Sequence, residues 1–185
     1  MAIDIQYHKS AIGELIIGSH EDELCLLDFR YRKMRQAVDK RLKEGLDCEF
    51  AEQENPVNQL AITQLEEYLA GTRKEFDLPI KLVGSEFQQT VWHELMKIPY
   101  GQTVSYGELA ENLGDPKSVR AVASANGANA IAVIIPCHRL IRADGSLTGY
   151  GGGLSVKQKL LNLESPDLFS DISMPSHAPG FEPGC

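Results

Sequence analysis

The apolar residues of this chain change period partway along, and that change restricts the fold more than any other feature. Ile3, Ile5 and Tyr7 alternate with polar neighbours, the period-two pattern of a half-buried strand. Beyond Gly84 the period lengthens: Phe87, Val91 and Leu95 recur every four residues, as on one side of a helix. A chain of 185 residues with this texture is expected to be α+β. A small N-terminal α/β domain with an antiparallel or mixed sheet, residues 1–83 including a linker, precedes a mainly helical domain, residues 84–164.

In the first region Leu15-Ile16-Ile17 and Leu24-Cys25-Leu26-Leu27 are short apolar runs separated by Ser19-His20-Glu21-Asp22, expected as a polar turn. Tyr31 to Leu42 is charged and predicted helical. Asn55-Pro56 is an N-cap followed by a first helical position. It opens a helix with Val57, Leu60, Ala61, Gln64, Leu65, Tyr68 and Leu69 on its apolar side and Gly71 as its stop. Nothing in this region is predicted to be catalytic.

After the linker through Pro79 and Gly84, Ser85 with Gln88 and Ser105 with Glu108 have capping-box spacing. The first opens a helix that ends near Ile98-Pro99-Tyr100-Gly101. The second opens a short helix, Tyr106 to Asn112. Gly114-Asp115-Pro116 then forms a turn, with Asp115 as cap of a helix running to about Asn126. Two helices joined by a short glycine-containing turn suggest a helix-turn-helix. The second helix carries mostly small side chains, Ser118, Ala121, Ala123, Ser124 and Ala125, with Arg120 as its long cation. Small residues suit close approach to DNA and equally suit packing against other helices.

Charge and cysteine content narrow the function classes. The net charge of −8 opposes a nucleic-acid partner on its face, but the charge is uneven. Residues 1–83 carry 11 basic against 16 acidic side chains, residues 84–164 carry 7 against 7, and residues 165–185 carry none against 3. The helical domain is thus the least acidic region, and weak DNA binding is expected there. Cys25, Cys48, Cys137 and Cys185 have no paired spacing, so thiols are expected rather than a disulfide framework. No metal and no cofactor are expected. No apolar run is long enough for a membrane span, no signal peptide is evident, and a cytoplasmic location is expected. The acidic, proline-bearing stretch 165–185 is predicted to be a flexible tail.

The chemistry is concentrated after the apolar run Ile131 to Ile135, expected as a buried strand or extended segment leading into Pro136-Cys137-His138-Arg139. A thiol becomes nucleophilic as thiolate, which a nearby histidine promotes. In an extended chain His138 faces away from Cys137, so a bend or a bridging water has to connect them. A cysteine beside a histidine is also compatible with a buried structural thiol.

The wider pattern narrows this. Ile134-Ile135-Pro136-Cys137-His138-Arg139-Leu140-Ile141, then Gly149-Tyr150-Gly151-Gly152-Gly153-Leu154, Lys157 and Leu160-Leu161, resemble the O6-alkylguanine-DNA alkyltransferases. Phe87 to Trp92, Ile98 to Gly101, Val104-Ser105-Tyr106, Arg120-Ala121-Val122 and Asn129 fit the same pattern without a gap. The likeness is to the short, constitutive bacterial form, and it covers residues 84–164; the N-terminal half matches only in size and texture.

The resemblance implies repair of O6-alkylguanine in double-stranded DNA and leaves acceptance of O4-alkylthymine open. One alkyl group passes irreversibly from a flipped-out nucleotide to a monomeric protein. It implies Cys137 as acceptor, His138 as base through a water, Glu164 orienting His138, and Asn129 tying the active-site turn to the helix-turn-helix. Tyr106 would donate to guanine N3. Ile135 and Val156 would line the base pocket, with Tyr150 and Gly151 covering it. Arg120 would fill the space left in the duplex, beside Ala121, Ser124 and Ser118 as DNA contacts. Three rival classes remain at this stage: a cysteine hydrolase, a non-catalytic lesion-binding module, and a transcriptional regulator. The last is disfavoured because the second helix has few side chains that read base edges.

Overall fold

The computed structural model describes residues 1–166; the predicted tail 165–185 lies almost wholly outside the described residues. Two compact units are present among the described residues, one of residues 1–85 with 130–132 and one of residues 86–129 with 133–166.

In the first unit three strands follow one another, β1 (Ile3–Ser10), β2 (Gly13–His20) and β3 (Glu23–Phe29). They form an antiparallel meander, and β4 (Phe50–Glu52) adds parallel to β1, giving the order β3-β2-β1-β4. The sheet is therefore mixed, one of the two forms expected, antiparallel or mixed. Ile3 and Ile5 are buried while Tyr7 is exposed, with the Arg30 guanidinium 3.7 Å above its ring. The expected four-residue polar turn is shorter than its composition suggested. Ser19 and His20 belong to β2 and are buried, and only Glu21 and Asp22 make the turn, both at positive φ. Two left-handed residues match the right-handed twist of the flanking strands.

Helix α1 (Arg35–Leu46) begins four residues later than the charged stretch suggested. Arg32, before it, and Arg35, its first residue, bind the buried Asp28 carboxylate at 3.1 and 3.0 Å, so these residues serve an ion-pair cluster. Helix α2 (Pro56–Leu69) starts as predicted: the Asn55 side chain accepts from Val57 N at 2.8 Å, a cap worth about 1 kcal/mol. Its buried side is Asn58, Ala61, Gln64, Leu65 and Tyr68, whereas Leu60 is exposed. Asn58 is the unexpected member. It accepts from Ser19 Oγ at 2.5 Å and donates to Asp4 O at 2.9 Å, tying α2 to β2 and β1.

The second unit opens with α3 (Glu86–Met96), which buries Val91, Trp92 and Leu95 and leaves Phe87 exposed. The short strand β5 (Val104–Ser105) leads into α4 (Tyr106–Asn112), where Ser105 and Glu108 complete the predicted capping box. Asp115 accepts from Lys117 N at 3.1 Å. Pro116–Ser118 is a single 3-10 turn before α5 (Val119–Gly127), so the expected helix is divided at its start. The buried indole of Trp92 donates to Ala125 O at 2.9 Å, fixing α3 to α5.

The run Ile131 to Ile135 is buried but is not a strand. Ala130 and Ala132 exchange backbone hydrogen bonds with Leu27 at 2.8 and 2.7 Å, and the pairing stops there. Val133 adopts φ 71, a left-handed conformation unfavourable for a β-branched residue, and the chain turns. Strand β6 (Leu140–Ile141) then pairs parallel with β5, Val104 opposite Leu140 and Ser105 opposite Ile141. Helix α6 (Leu154–Glu164) follows Gly153, which has φ 94. No helix among the described residues is long and apolar enough to cross a membrane.

Candidate active site

Of the two links expected between Cys137 and His138, a bend or a bridging water, the chain has the bend. Cys137–Arg139 forms one 3-10 turn, closed by Arg139 N donating to Pro136 O at 3.0 Å. Both Cys137 and His138 are buried. The carbonyl of Ile135 anchors the turn from the other side, accepting from Cys137 N at 2.7 Å and from the Asn129 side-chain amide at 2.9 Å. Asn129 lies just past the Ala128 cap of α5, so one buried amide connects the end of that helix to the residue two before the thiol.

His138 Nε2 lies 2.7 Å from Glu164 Oε2, with neither side chain exposed by more than 1%. Glu164 closes α6, and its carboxylate collects further donors. Arg139 Nε reaches Oε1 at 2.8 Å and Arg139 Nη2 reaches Oε2 at 3.0 Å, a two-pronged ion pair. Gly101 N donates to Oε1 at 3.1 Å. The third arginine prong, Nη1, donates to Ile98 O at 2.6 Å. The Ile98-Pro99-Tyr100-Gly101 turn thus has a role that its spacing did not reveal: it supplies a backbone acceptor to Arg139 and a backbone donor to Glu164.

These partners determine the protonation states. Burial alone would raise the Glu164 carboxyl, but the hydrogen bonds from His138 and Arg139 outweigh it and hold the group well below the usual carboxylate range. Burial lowers the His138 imidazole from its ordinary value, and the hydrogen bond to Glu164 opposes this without reversing it. A carboxylate only accepts, so Nε2 carries the ring hydrogen and a neutral ring has its lone pair on Nδ1. That nitrogen is buried and has no hydrogen-bond partner among the described residues. Buried polar atoms are rarely left so unless they have a task, and a basic nitrogen one residue from a thiol is equipped to take its proton.

The remaining predicted residues fall as follows. Tyr106 begins α4, and its hydroxyl lies 2.9 Å from Thr148 Oγ1. Tyr150 is buried, its ring edge-on to His138 with centroids 6.5 Å apart. Gly151 and Val156 are half-buried, Val156 in the first turn of α6. Arg120, Ala121 and Ser124 are all exposed on α5, and Ser118, half-buried, precedes it. The small residues thus divide: Ala125 packs inward while Ala121 and Ser124 face out.

Sequence reasoning assigned no role to Arg139 or Lys157. A buried cation requires a partner, and the side chain of Lys157, fully buried, donates to Leu140 O at 2.8 Å and Thr148 O at 3.2 Å. Cys25 differs from Cys137 in kind: it lies inside the sheet unit, and burial pushes its thiol up to about 12. Among the described residues no cluster of three or more His, Cys, Asp or Glu side chains is arranged to hold a metal.

Comparison with known proteins places these residues in a wider group. Residues 86–166 match the model of the 6-O-methylguanine DNA methyltransferase DNA-binding domain, and residues 5–82 match that of the same group's ribonuclease-like domain. A methylated-DNA–protein-cysteine methyltransferase of Methanosarcina acetivorans is 44% identical over 156 residues, covering 84% of this chain and 94% of the relative. One of Mycobacterium leprae is 50% identical over 168 residues, covering 89% and 94%. Among solved structures, Mycobacterium tuberculosis OGT in complex with DNA superposes with a TM-score of 0.75 at 40% identity, covering 88% of this chain and 93% of that one.

Proposed function

The chain belongs to the 6-O-methylguanine DNA methyltransferase family, and from that premise we propose that Cys137 is the residue that receives the alkyl group. The protein repairs DNA by moving an alkyl group from methylated DNA onto a cysteine of its own, and DNA is its partner.

The observation that carries the assignment is the buried imidazole beside the thiol, backed by Glu164 and offering Nδ1 as a base. His138 takes the Cys137 proton through a water, and the resulting thiolate attacks the alkyl carbon in line with the bond to O6. The S–C bond forms as the C–O6 bond breaks, with its electron pair passing to guanine. A thioether is not displaced by water, so each molecule acts once, unlike a cysteine hydrolase, which regenerates its thiol. Glu164 holds His138 in the required tautomer, the third-group role of activated cysteines. Asn129 positions the turn. Tyr106 donates to guanine N3 as negative charge develops on the base.

The O6 position is inside the base stack, so the nucleotide must be extruded at a cost of a few kcal/mol. Exposed Arg120, flanked by Ala121 and Ser124 on α5 and by Ser118 just before it, fills the vacated space from the minor groove. Backbone at Ile135 and Val156 lines the base pocket, covered by Tyr150 and Gly151.

The test is to incubate the purified protein with a duplex containing one O6-methylguanine and to weigh the intact protein and its peptides. One added methyl on the Cys137 peptide, saturating at one per protein and absent in Cys137→Ala, is expected. Methyl loss from DNA with continued turnover and no mass gain would exclude the acceptor role.

A further inference from the structure

Thr148 sits in the segment between β6 and α6, and two contacts hold it. Its carbonyl accepts from the buried Lys157 ammonium at 3.2 Å, and its hydroxyl lies 2.9 Å from the Tyr106 hydroxyl. Ser105, immediately before Tyr106, pairs with Ile141 on β6, which continues from the Cys137 turn. The sheet pairing thus sets the strand that leads into Tyr106 beside the strand that leaves the reactive turn, and Thr148 is the residue placed against the Tyr106 hydroxyl.

We propose that Thr148 is a positioning residue for alkyl transfer, donating to the Tyr106 oxygen so that the tyrosine proton is directed at the guanine base. This rests on the reading of Tyr106 as the donor to guanine N3. Each hydroxyl has one proton and two acceptor sites, so the pair alone has no fixed direction. Once a base nitrogen accepts from Tyr106, only Thr148 can supply the proton shared between the hydroxyls. The order becomes Thr148 O–H to Tyr106 O, and Tyr106 O–H to N3. Hydrogen bonds in such a chain polarise one another, so the tyrosine is a stronger donor than a phenol alone. The gain grows as the C–O6 bond breaks and its electron pair moves into the ring, while the thiol proton remains with His138. Donors that strengthen as charge develops lower the barrier and not merely the binding energy. The stiff χ1 of a β-branched residue and the Lys157 contact keep the threonine hydroxyl in place.

The experiment compares full-length wild type, Thr148→Val, Thr148→Ser, Tyr106→Phe and the Thr148→Val/Tyr106→Phe double variant. Single-turnover transfer is measured from a duplex carrying O6-methylguanine and from one carrying its 3-deaza analogue, which lacks the acceptor nitrogen. Thr148→Val is expected to slow transfer from O6-methylguanine roughly five- to tenfold, the scale of one hydrogen bond between neutral groups. Its DNA affinity, and its rate on the 3-deaza duplex, should match wild type. Thr148→Ser should restore the rate, and Thr148→Val should cost nothing further when Tyr106 is already phenylalanine. Equal slowing on both duplexes, or additive loss in the double variant, would make Thr148 only a structural residue and overturn the proposal. An unchanged rate in Thr148→Val, with Tyr106→Phe slow, would overturn it while leaving the Tyr106 reading intact. A fast Tyr106→Phe would instead remove the reading on which the proposal rests.

Discussion

Arg139 and Glu164 form a two-pronged ion pair at 2.8 and 3.0 Å, and that pair is what allows a neutral histidine to sit against a buried carboxylate. Without the arginine, the Glu164 charge would have His138 as its nearest cationic partner and would favour the imidazolium, which is no base. With it, the carboxylate charge is already balanced, and His138 has only to donate one hydrogen bond.

The pH dependence of transfer follows from this arrangement. Burial lowers the His138 imidazole from 6.5, so the ring is neutral, as the proposed base must be, over a wider range than in an exposed histidine. The single-turnover rate should hold level as pH falls to 6.5 and drop only below it. A rate already halved at or above that pH would contradict the neutral-base assignment.

Stability should also weaken in acid, for two groups with the same sign. His138 and Glu164 both have folded-state pKa values below their unfolded ones, so the unfolded chain binds more protons and acid favours it. The His138 contribution is lost from about 6.5 downward and the Glu164 contribution from 4.5 downward. Glu164→Gln leaves Arg139 buried without its counter-charge and is expected to cost about 3–5 kcal/mol. Urea unfolding of both proteins at several pH values measures the total and the slope, which should be shallower below pH 4.5 in the variant.

Asn129→Ala removes a buried amide from Ile135 O while Cys137 N still occupies that carbonyl. A loss of about 1–3 kcal/mol in unfolding free energy is expected, and transfer should slow because the turn carrying the thiol has lost its tie to α5. Retained stability together with an unaltered rate would show that the tie is dispensable.

Trp92→Phe should loosen α5 without touching the thiol. The indole donates to Ala125 O at 2.9 Å in a buried setting; its removal leaves that carbonyl with Ala128 N, at 3.2 Å, and the space partly empty. The expected cost is about 2–4 kcal/mol, read as a lower urea midpoint, with one methyl still transferred per folded molecule.

Arg120→Ala should separate DNA handling from chemistry. The side chain is exposed on α5, so stability should be unaffected. If Arg120 fills the vacated space as proposed, repair of duplex slows about tenfold or more, because base extrusion costs a few kcal/mol. Reaction with a free O6-alkylguanine base, which needs no extrusion, should proceed as in wild type. An equal effect on both substrates would argue against insertion into the duplex.

Local signals in the chain were informative where neighbours in sequence are also neighbours in space. The Asn55-Pro56 helix start and the Ser105–Glu108 capping box appear as read, because a cap bonds only to residues two or three positions ahead. The same holds for the Cys137-His138 pair, whose adjacency was visible and whose bend was one of the two links expected. Readings failed where composition stood in for packing. Ser19 and His20 look like turn residues but extend β2, since Ser19 has a buried partner in Asn58. Leu60 and Phe87 fit apolar periodicities yet are exposed, because period alone does not say how wide the buried side is.

By itself, then, the sequence determined the α+β succession, the helix starts and the presence of a thiol, an imidazole and a carboxylate in a recognisable order. Tertiary structure decided how those groups work. Glu164 meets His138 across 26 positions, Arg139 across 25 and Gly101 across 63, and no local pattern encodes contacts of that span. The apolar run before Cys137 is equally suited to a strand, but only Ala130–Ala132 finds a partner in Leu27, and the chain turns at Val133. The protonation state of the base is likewise a property of the assembled site, because it depends on burial and on a balanced charge that exist only once α6, the Cys137 turn and the Ile98–Gly101 turn have come together.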